Sequence, residues 1–337
     1  MGEPAYGHLP VMAGRVTDLL RPALQLGGAQ QRSTQAGIPA GTATAVMVDA
    51  TLGRAGHARM LLASCPGLTL IGIDADEAAI TEGRALQAEY PGQVKLAHAF
   101  YDQVAAIVAD AGYREVHGVL FDLGVSSPQL DDSGRGFSYS RDAPLDMRMD
   151  QSAGRTAADI VNEYTAAELA RVLFEYGEER FARRIADSII KERAREPITS
   201  TLRLASIVVN AIPAAARRTG GNPAKRAFQA LRIEVNDELG ALRRALPDAL
   251  DLLAAGGRIA VLAYHSLEDR LVKRELTARA ADAAPPGLPV RAADMRPEFR
   301  LLTRGAERPD EQEMADNPRA ASARLRAAER IRETETS

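Results

Sequence analysis

The chain has 337 residues, 46% of them hydrophobic, a formal net charge of −3 and one cysteine, Cys65. That length suggests two domains, or one large domain with an insertion, and the composition supports a sizeable core and excludes global disorder. A globally basic nucleic-acid binder, an internal disulfide and an apolar run of about 18 residues that could span a membrane are excluded as well. The N-terminus lacks a charged segment ahead of an apolar one, so no signal peptide is expected, and the cytoplasm is the natural compartment.

Four short apolar runs follow in chain order: AVMVDA at 45–50, LTLIGIDAD at 68–76, VKLAHAF at 94–100 and VHGVLFDLG at 116–124. Helix-like segments lie between them, at 56–63, 77–89 and 103–111. A strand–helix–strand unit of about 25 residues is the rhythm of a parallel, doubly wound sheet in an α/β fold. The runs are apolar on both faces, as expected when helices cover both sides.

A fifth run, GGRIAVLAYHS at 256–266, follows a helix-like stretch at 224–254 through a Gly-Gly turn. Between it and Asp122 lie 133 residues, too many for one crossover. An inserted helical domain at roughly 137–225 accounts for the gap, because the 3.6-residue period prevails there. The sheet domain then comprises 1–136 and 226–337. A helix follows His265, and the tail from about residue 283 is expected to hold a final hairpin and a loose end. From Arg171 to Arg232 there are 13 Lys and Arg against 6 Asp and Glu. A solvated helix face and a phosphate-binding face both fit that excess.

Ligands of open parallel sheets bind at the carboxyl ends of the strands. After the first run, small residues at Ala50, Gly53, Ala55 and Gly56 allow a ligand close to the backbone as a helix begins. Their spacing does not match G-x-G-x-x-G, and no second mononucleotide half follows, which disfavours a nicotinamide-dependent oxidoreductase. After the second run, Asp74 is placed to accept ribose hydroxyls, and Asp76 suits the cap of the next helix. Phe100 ends the third run, where a purine contact and a core position are both open. The fourth run ends in Asp122 and the loop DLGVSSPQ, the fifth in YHSLEDR. His265 is read either as a polar contact to a substrate or as a histidine satisfied by SLED. His8, His98 and His117 are expected to be structural. The scattered histidines and lone cysteine give no metal cluster.

DATLGRAGH, FDLGVSSPQLDDSGRGFSYSRDAPLDMRMD, YGEERFARRIADSI, FQALRIEVNDEL, YHSLEDRLVKR and NPRAASARLRAAER together resemble the RsmH/MraW family, from about His8 to Arg330. The resemblance implies a class I, Rossmann-like methyltransferase domain with an inserted helical domain. It implies S-adenosylmethionine as cofactor and the N4 of a cytosine in 16S ribosomal RNA, near the decoding site of the small subunit, as target. It implies that Ala55, Gly56 and His57 line the methionine end of the cofactor, that Asp74 holds the ribose, and that Phe100, Asp122 and Gln129 also touch it. A ribosome-binding assembly factor without turnover is the alternative; the oligomeric state, monomer or homodimer, stays open.

Ala50 and Ala55 stand where many members have glycine, which is tolerable if φ is negative. Tyr264 replaces a commoner phenylalanine, and Ala227 a threonine. Cys65 lies between the first helix and second strand, away from the Asp122 loop, which removes a covalent route through a cysteine. Direct transfer to an exocyclic nitrogen needs fixed acceptors around the amine, and Asp122, Ser126, Ser127 and Pro128, with His265, are the candidates. Phe137 or Tyr139 is considered as the aromatic that stacks the base.

Overall fold

In the computed structural model the described residues are 10–34, 45–126, 129–130, 132, 134–217, 222–282 and 297–332. They divide into two units, one made of 1–124 and 241–337 and the other of 125–240. The helical insert drawn from sequence at 137–225 falls inside the second unit.

The first unit begins with helix α1 (Ala13–Thr34), which the apolar pattern did not reveal. Then β1 (Val46–Asp49), α2 (Gly56–Ser64), β2 (Thr69–Asp74), α3 (Glu77–Glu89), β3 (Val94–His98), α4 (Val104–Asp110) and β4 (Val116–Asp122) alternate. In the second unit come α5 (Ala157–Glu163), α6 (Ala166–Glu175), α7 (Ala182–Arg193), α8 (Thr201–Ala211), α9 (Ala214–Arg217) and α10 (Ala224–Asn236). The chain continues through α11 (Glu238–Asp251), β5 (Leu253–Ala263), α12 (Ser266–Ala280), β6 (Phe299–Leu301), α13 (Glu311–Asp316) and β7 (Arg324–Arg330).

The seven strands form one sheet in the order β3-β2-β1-β4-β5-β7-β6. The first five are parallel, while β7 pairs antiparallel with β5 and β6 antiparallel with β7. The pleat sends alternate residues to opposite faces. Val46, Val48, Ile71, Ile73, Val119, Phe121, Ile259 and Val261 pack with Val104, Leu246, Leu250 and Val272 of α4, α11 and α12. Met47, Leu70, Leu120, Ala260 and Leu262 pack instead with Val16, Leu20, Leu61 and Leu86 of α1, α2 and α3. Both faces are thus covered, which is why the strands read as unbroken apolar runs.

One expectation changes. The Gly-Gly pair does not precede β5 but lies within it. Val116 pairs with Leu253 and Gly118 with Arg258, so β5 accommodates extra residues in a bulge, with Gly256 at φ +78°. The final hairpin expected in the tail is the antiparallel β6–β7 pair. A helix and a 3-10 turn separate β6 from β7, and β7 inserts between β5 and β6.

In the second unit, Ile160, Val161, Leu169, Val172, Ile185, Ile189, Leu204, Val208, Phe228 and Leu231 form one core. Its helices start where the sequence offers capping boxes: Thr156 with Asp159 on α5 and Thr165 with Glu168 on α6. Asn236 fastens the loop before α5, accepting from the Met149 amide at 2.7 Å and donating to the Met147 carbonyl at 2.8 Å. None of the described helices is long and apolar enough to cross a membrane.

Candidate active site

The strand order reverses between β1 and β4, so a crevice opens at their carboxyl ends. Three strands end there in aspartates: Asp49 on β1, Asp74 on β2 and Asp122 on β4. Asp49 is 1% exposed, and burial pushes its carboxyl up to about 7, with the charges of Asp122 and Asp74 adding to the effect. Burial likewise raises Asp74 to about 6, against two backbone amides that favour its ionised form. Asp122 is also raised, again by desolvation first, although 28% of its side chain meets solvent. Asp49 was not singled out from the sequence, although it ends its strand as the other two aspartates do.

The turn after β1 is shaped by Asp74. Its Oδ2 accepts the Gly53 amide at 2.8 Å and its Oδ1 the Asp76 amide at 2.9 Å. Asp76 in turn caps α3 by accepting from Ala78. Asp74 is therefore already held, and its remaining lone pairs are what a ribose can use. Gly53 sits at φ +51°. Ala55 sits at φ +56°, so the negative φ expected for its methyl group is not found. The left-handed region costs an L-residue roughly 1–2 kcal/mol. Glycine is required at position 56, because a Cβ there would meet Pro10 Cγ at 2.6 Å. Ala50 has no positive φ; its amide donates to the Leu120 carbonyl at 2.9 Å.

His57, in the first turn of α2, is buried, and neither ring nitrogen finds a hydrogen-bond partner among the described residues. Its Nε2 lies 3.7 Å from Asp122 Oδ2, too long for a hydrogen bond. Burial lowers its pKa and keeps it neutral. The other Asp122 oxygen, Oδ1, accepts the Tyr264 hydroxyl at 2.7 Å. Burial first, and then the Asp122 charge, push the Tyr264 phenol well above its usual range. The Asp122 amide donates to Thr51 Oγ1 at 2.6 Å. Thr51 and the Tyr264 hydroxyl join the site from the structure alone; Tyr264 had been read as a conservative exchange for phenylalanine.

Other sequence candidates lie elsewhere or are engaged. Phe100 is half-buried just past β3. His265 caps α12: its Nδ1 accepts the Glu268 amide at 3.4 Å, and Glu268 Oε2 accepts the Tyr264 and His265 amides. SLED thus engages Nδ1 of the histidine, while its Nε2 makes no hydrogen bond. Ser126 and Gln129 belong to the second unit, where Gln129 Oε1 accepts the Ser126 amide at 2.9 Å. Ser127, Pro128 and His8 lie outside the described residues. Phe137 is buried in the second unit's core beneath the Arg135 guanidinium, and Tyr139 meets Phe228 edge-to-face at 5.9 Å. Both aromatic rings pack against neighbours within the second unit. Cys65 caps the opposite end of α2, with its thiol held neutral by burial. His117 Nδ1 accepts the Val46 amide, and His98 bonds the Ala75 carbonyl, both structural roles.

Three carboxylates whose charge desolvation disfavours, one of them beside a buried histidine, are costly unless a cation neutralises them. S-adenosylmethionine carries a sulfonium and an ammonium, and its carboxylate needs donors of the kind His57 leaves unpartnered. The residues present fit that group.

The chain matches the MraW methylase family over residues 5–331. It is 59% identical over 332 residues to a ribosomal RNA small subunit methyltransferase H of Thermobifida fusca, covering 98% of this chain and 96% of that one. It is 57% identical over 324 residues to the protein of the same name from Frankia alni, covering 96% and 95%. With that of Acidothermus cellulolyticus it shares 56% over 331 residues, covering 98% and 96%.

Proposed function

The chain belongs to the MraW methylase family, and from that premise we propose that it transfers a methyl group from S-adenosylmethionine to the N4 of a cytosine in 16S ribosomal RNA. The target lies near the decoding site of the small subunit, in the pattern that the resemblance implies. The observation that carries the reading is the row of aspartates ending β1, β2 and β4, with unpartnered His57 beside Asp122. Relatives named as small-subunit ribosomal RNA methyltransferases support the substrate class.

The cofactor supplies an electrophilic methyl group when bound. Asp74, Gly53, Ala55, Gly56 and His57 would hold it, with Phe100 as a further contact. The amino group of cytosine is a weak nucleophile, because its lone pair is delocalised into the ring. Asp122 accepts an N–H of that amine, aims the lone pair and takes the proton as the new bond forms. The Tyr264 hydroxyl fixes the Asp122 carboxylate while it does so, and Thr51 Oγ1 holds the Asp122 backbone amide.

The target base leaves its stack to reach this edge. The second unit offers the RNA a basic helix: Arg183, Arg184 and Lys191 on α7 are exposed and make no ion pair among the described residues. Elsewhere in the basic stretch the charge is used internally, as in Arg171 with Glu175 and Arg193 with the Val161 and Tyr164 carbonyls.

The test is incubation with labelled S-adenosylmethionine and small subunits from a strain lacking this activity, followed by mass mapping of the RNA. The expected product is N4-methylated cytosine. Cofactor binding without transfer would favour the assembly-factor alternative, and no cofactor binding would refute the reading.

A further inference from the structure

A cavity shares Tyr264 with the Asp122 site and is otherwise not used by the chemistry above. It has a volume of about 270 Å³ and is lined by Tyr264, His265, Ser266, Arg308, Ser322 and Arg324. These residues come from the end of β5, the start of α12, the segment before α13, the turn before β7 and the first residue of β7. All belong to the first unit. Tyr264 is shared, since the same side chain that lines the cavity bonds Asp122 at 2.7 Å.

The lining is one of donors. It contains two guanidiniums, three hydroxyls and an imidazole and no carboxylate. The nearby acids are already engaged. Asp269 accepts from both Arg324, at 3.1 Å, and Arg326, at 2.7 Å, so two cations share one anion. Glu268 is turned inward onto the Tyr264 and His265 amides. Arg308 is exposed and makes no hydrogen bond or ion pair among the described residues. The His265 side chain is only 8% exposed, yet its Nε2 makes no hydrogen bond. It lies 3.1 Å from Glu268 Oε1 but off the direction a bond requires. The cavity also opens at the first turn of a 15-residue helix, whose dipole favours an anion.

We propose that this cavity binds a phosphodiester of the RNA strand beside the target nucleotide. The proposal rests on the methyltransferase reading and extends it. A singly charged oxyanion matches the excess positive charge, and guanidinium forks suit phosphate oxygens. Phosphate contacts fix the register of a strand without reading its sequence. A phosphate held here places its nucleotide next to the Tyr264–Asp122 pair, where the amine must be aimed.

The test uses the full chain, small ribosomal subunits and the variants Arg308→Ala and Arg308→Lys. Subunit binding is titrated directly over a salt series, alongside S-adenosylmethionine binding and transfer kinetics. Arg308→Ala is expected to weaken subunit binding and raise KM about five- to tenfold, with kcat and cofactor affinity unchanged. The slope of log K against log salt should shrink by about 0.7, and Arg308→Lys should recover most of the loss. Unchanged subunit affinity and salt slope in Arg308→Ala would overturn the proposal. So would a loss confined to cofactor affinity, which would give the cavity to the cofactor's carboxylate. Stabilisation by inorganic phosphate alone, with subunit binding unaltered by the variant, would mark a free-anion site and also overturn it. Direct binding answers the question even if the wild type transfers no methyl group, an outcome that would count against the enzymatic reading instead.

Discussion

Ala55 carries a buried methyl group at φ +56°, at the point where α2 begins. Glycine at this position would remove roughly 1–2 kcal/mol of backbone strain. It would also add about 0.5–1 kcal/mol of unfolded-state entropy and lose the methyl's packing. Ala55→Gly is therefore expected to change stability by less than about 1 kcal/mol, whereas Ala55→Val, β-branched at positive φ, should destabilise by about 2 kcal/mol or more. Thermal melts of the two variants check this. The sequence marked residue 55 as unusual, but only the backbone angle shows which side of the Ramachandran map it occupies.

The aspartates make a pH prediction. Asp49 and Asp74 have folded-state pKa values raised to about 7 and about 6. A raised acid favours the folded state below its unfolded value, and that stability is lost as pH climbs through the folded one. The free protein should therefore lose stability between about pH 4 and 7. A cationic cofactor reverses the preference, so its affinity should rise over the upper part of that range with proton release on binding. Calorimetry in buffers of different ionisation enthalpy reads both; a pH-independent affinity without proton release would disconnect the acids from the cofactor. Tyr264→Phe should move the acid limb of the pH–rate profile upward, because the tyrosine hydroxyl favours ionised Asp122. An unmoved limb would separate Asp122 from the proton transfer. Asp74 and Asp122 were legible as acids ending apolar runs. The hydroxyl of Tyr264 was not, because its partner lies 142 positions away in the chain.

At the scale of elements, α12 shows how a plausible catalytic histidine becomes a cap. His265 and Glu268 exchange side chain and backbone across the helix start. His265→Ala should cost about 1 kcal/mol of stability, while His265→Asn, which keeps an acceptor at the cap, should cost less. If His265 also served the chemistry, His265→Asn would fold normally and still lose turnover, and paired melts and rates distinguish the two. Strand and helix positions were readable because two covered sheet faces leave apolar runs and capping residues punctuate them. The β5 bulge was not readable, since Gly-Gly signals a turn equally well. Helix α1 is not legible as an apolar run because its buried Val16, Leu20 and Leu24 are four residues apart, with charged residues between them and Pro22 inside the helix.

For the whole molecule, the sheet order places the three aspartates at one edge, and this follows from topology more than from any single motif. The long gap between Asp122 and β5 was visible as an insertion, and the second unit does have its own core. Its charge was visible too, but not which arginines are engaged by carbonyls and carboxylates. If about six phosphates are neutralised on RNA binding, the salt slope on single-stranded RNA should be about −4. A binding constant insensitive to salt would remove α7 from the RNA face. Asp122 is where cofactor, tyrosine and target amine are expected to converge, so the most direct measurement is single-turnover methyl transfer to small subunits by the wild type and by Asp122→Ala. The expected result is a loss of at least about 100-fold in the variant, with a folded protein by melting. Transfer by Asp122→Ala at the wild-type rate would contradict the placement of the reaction at this edge.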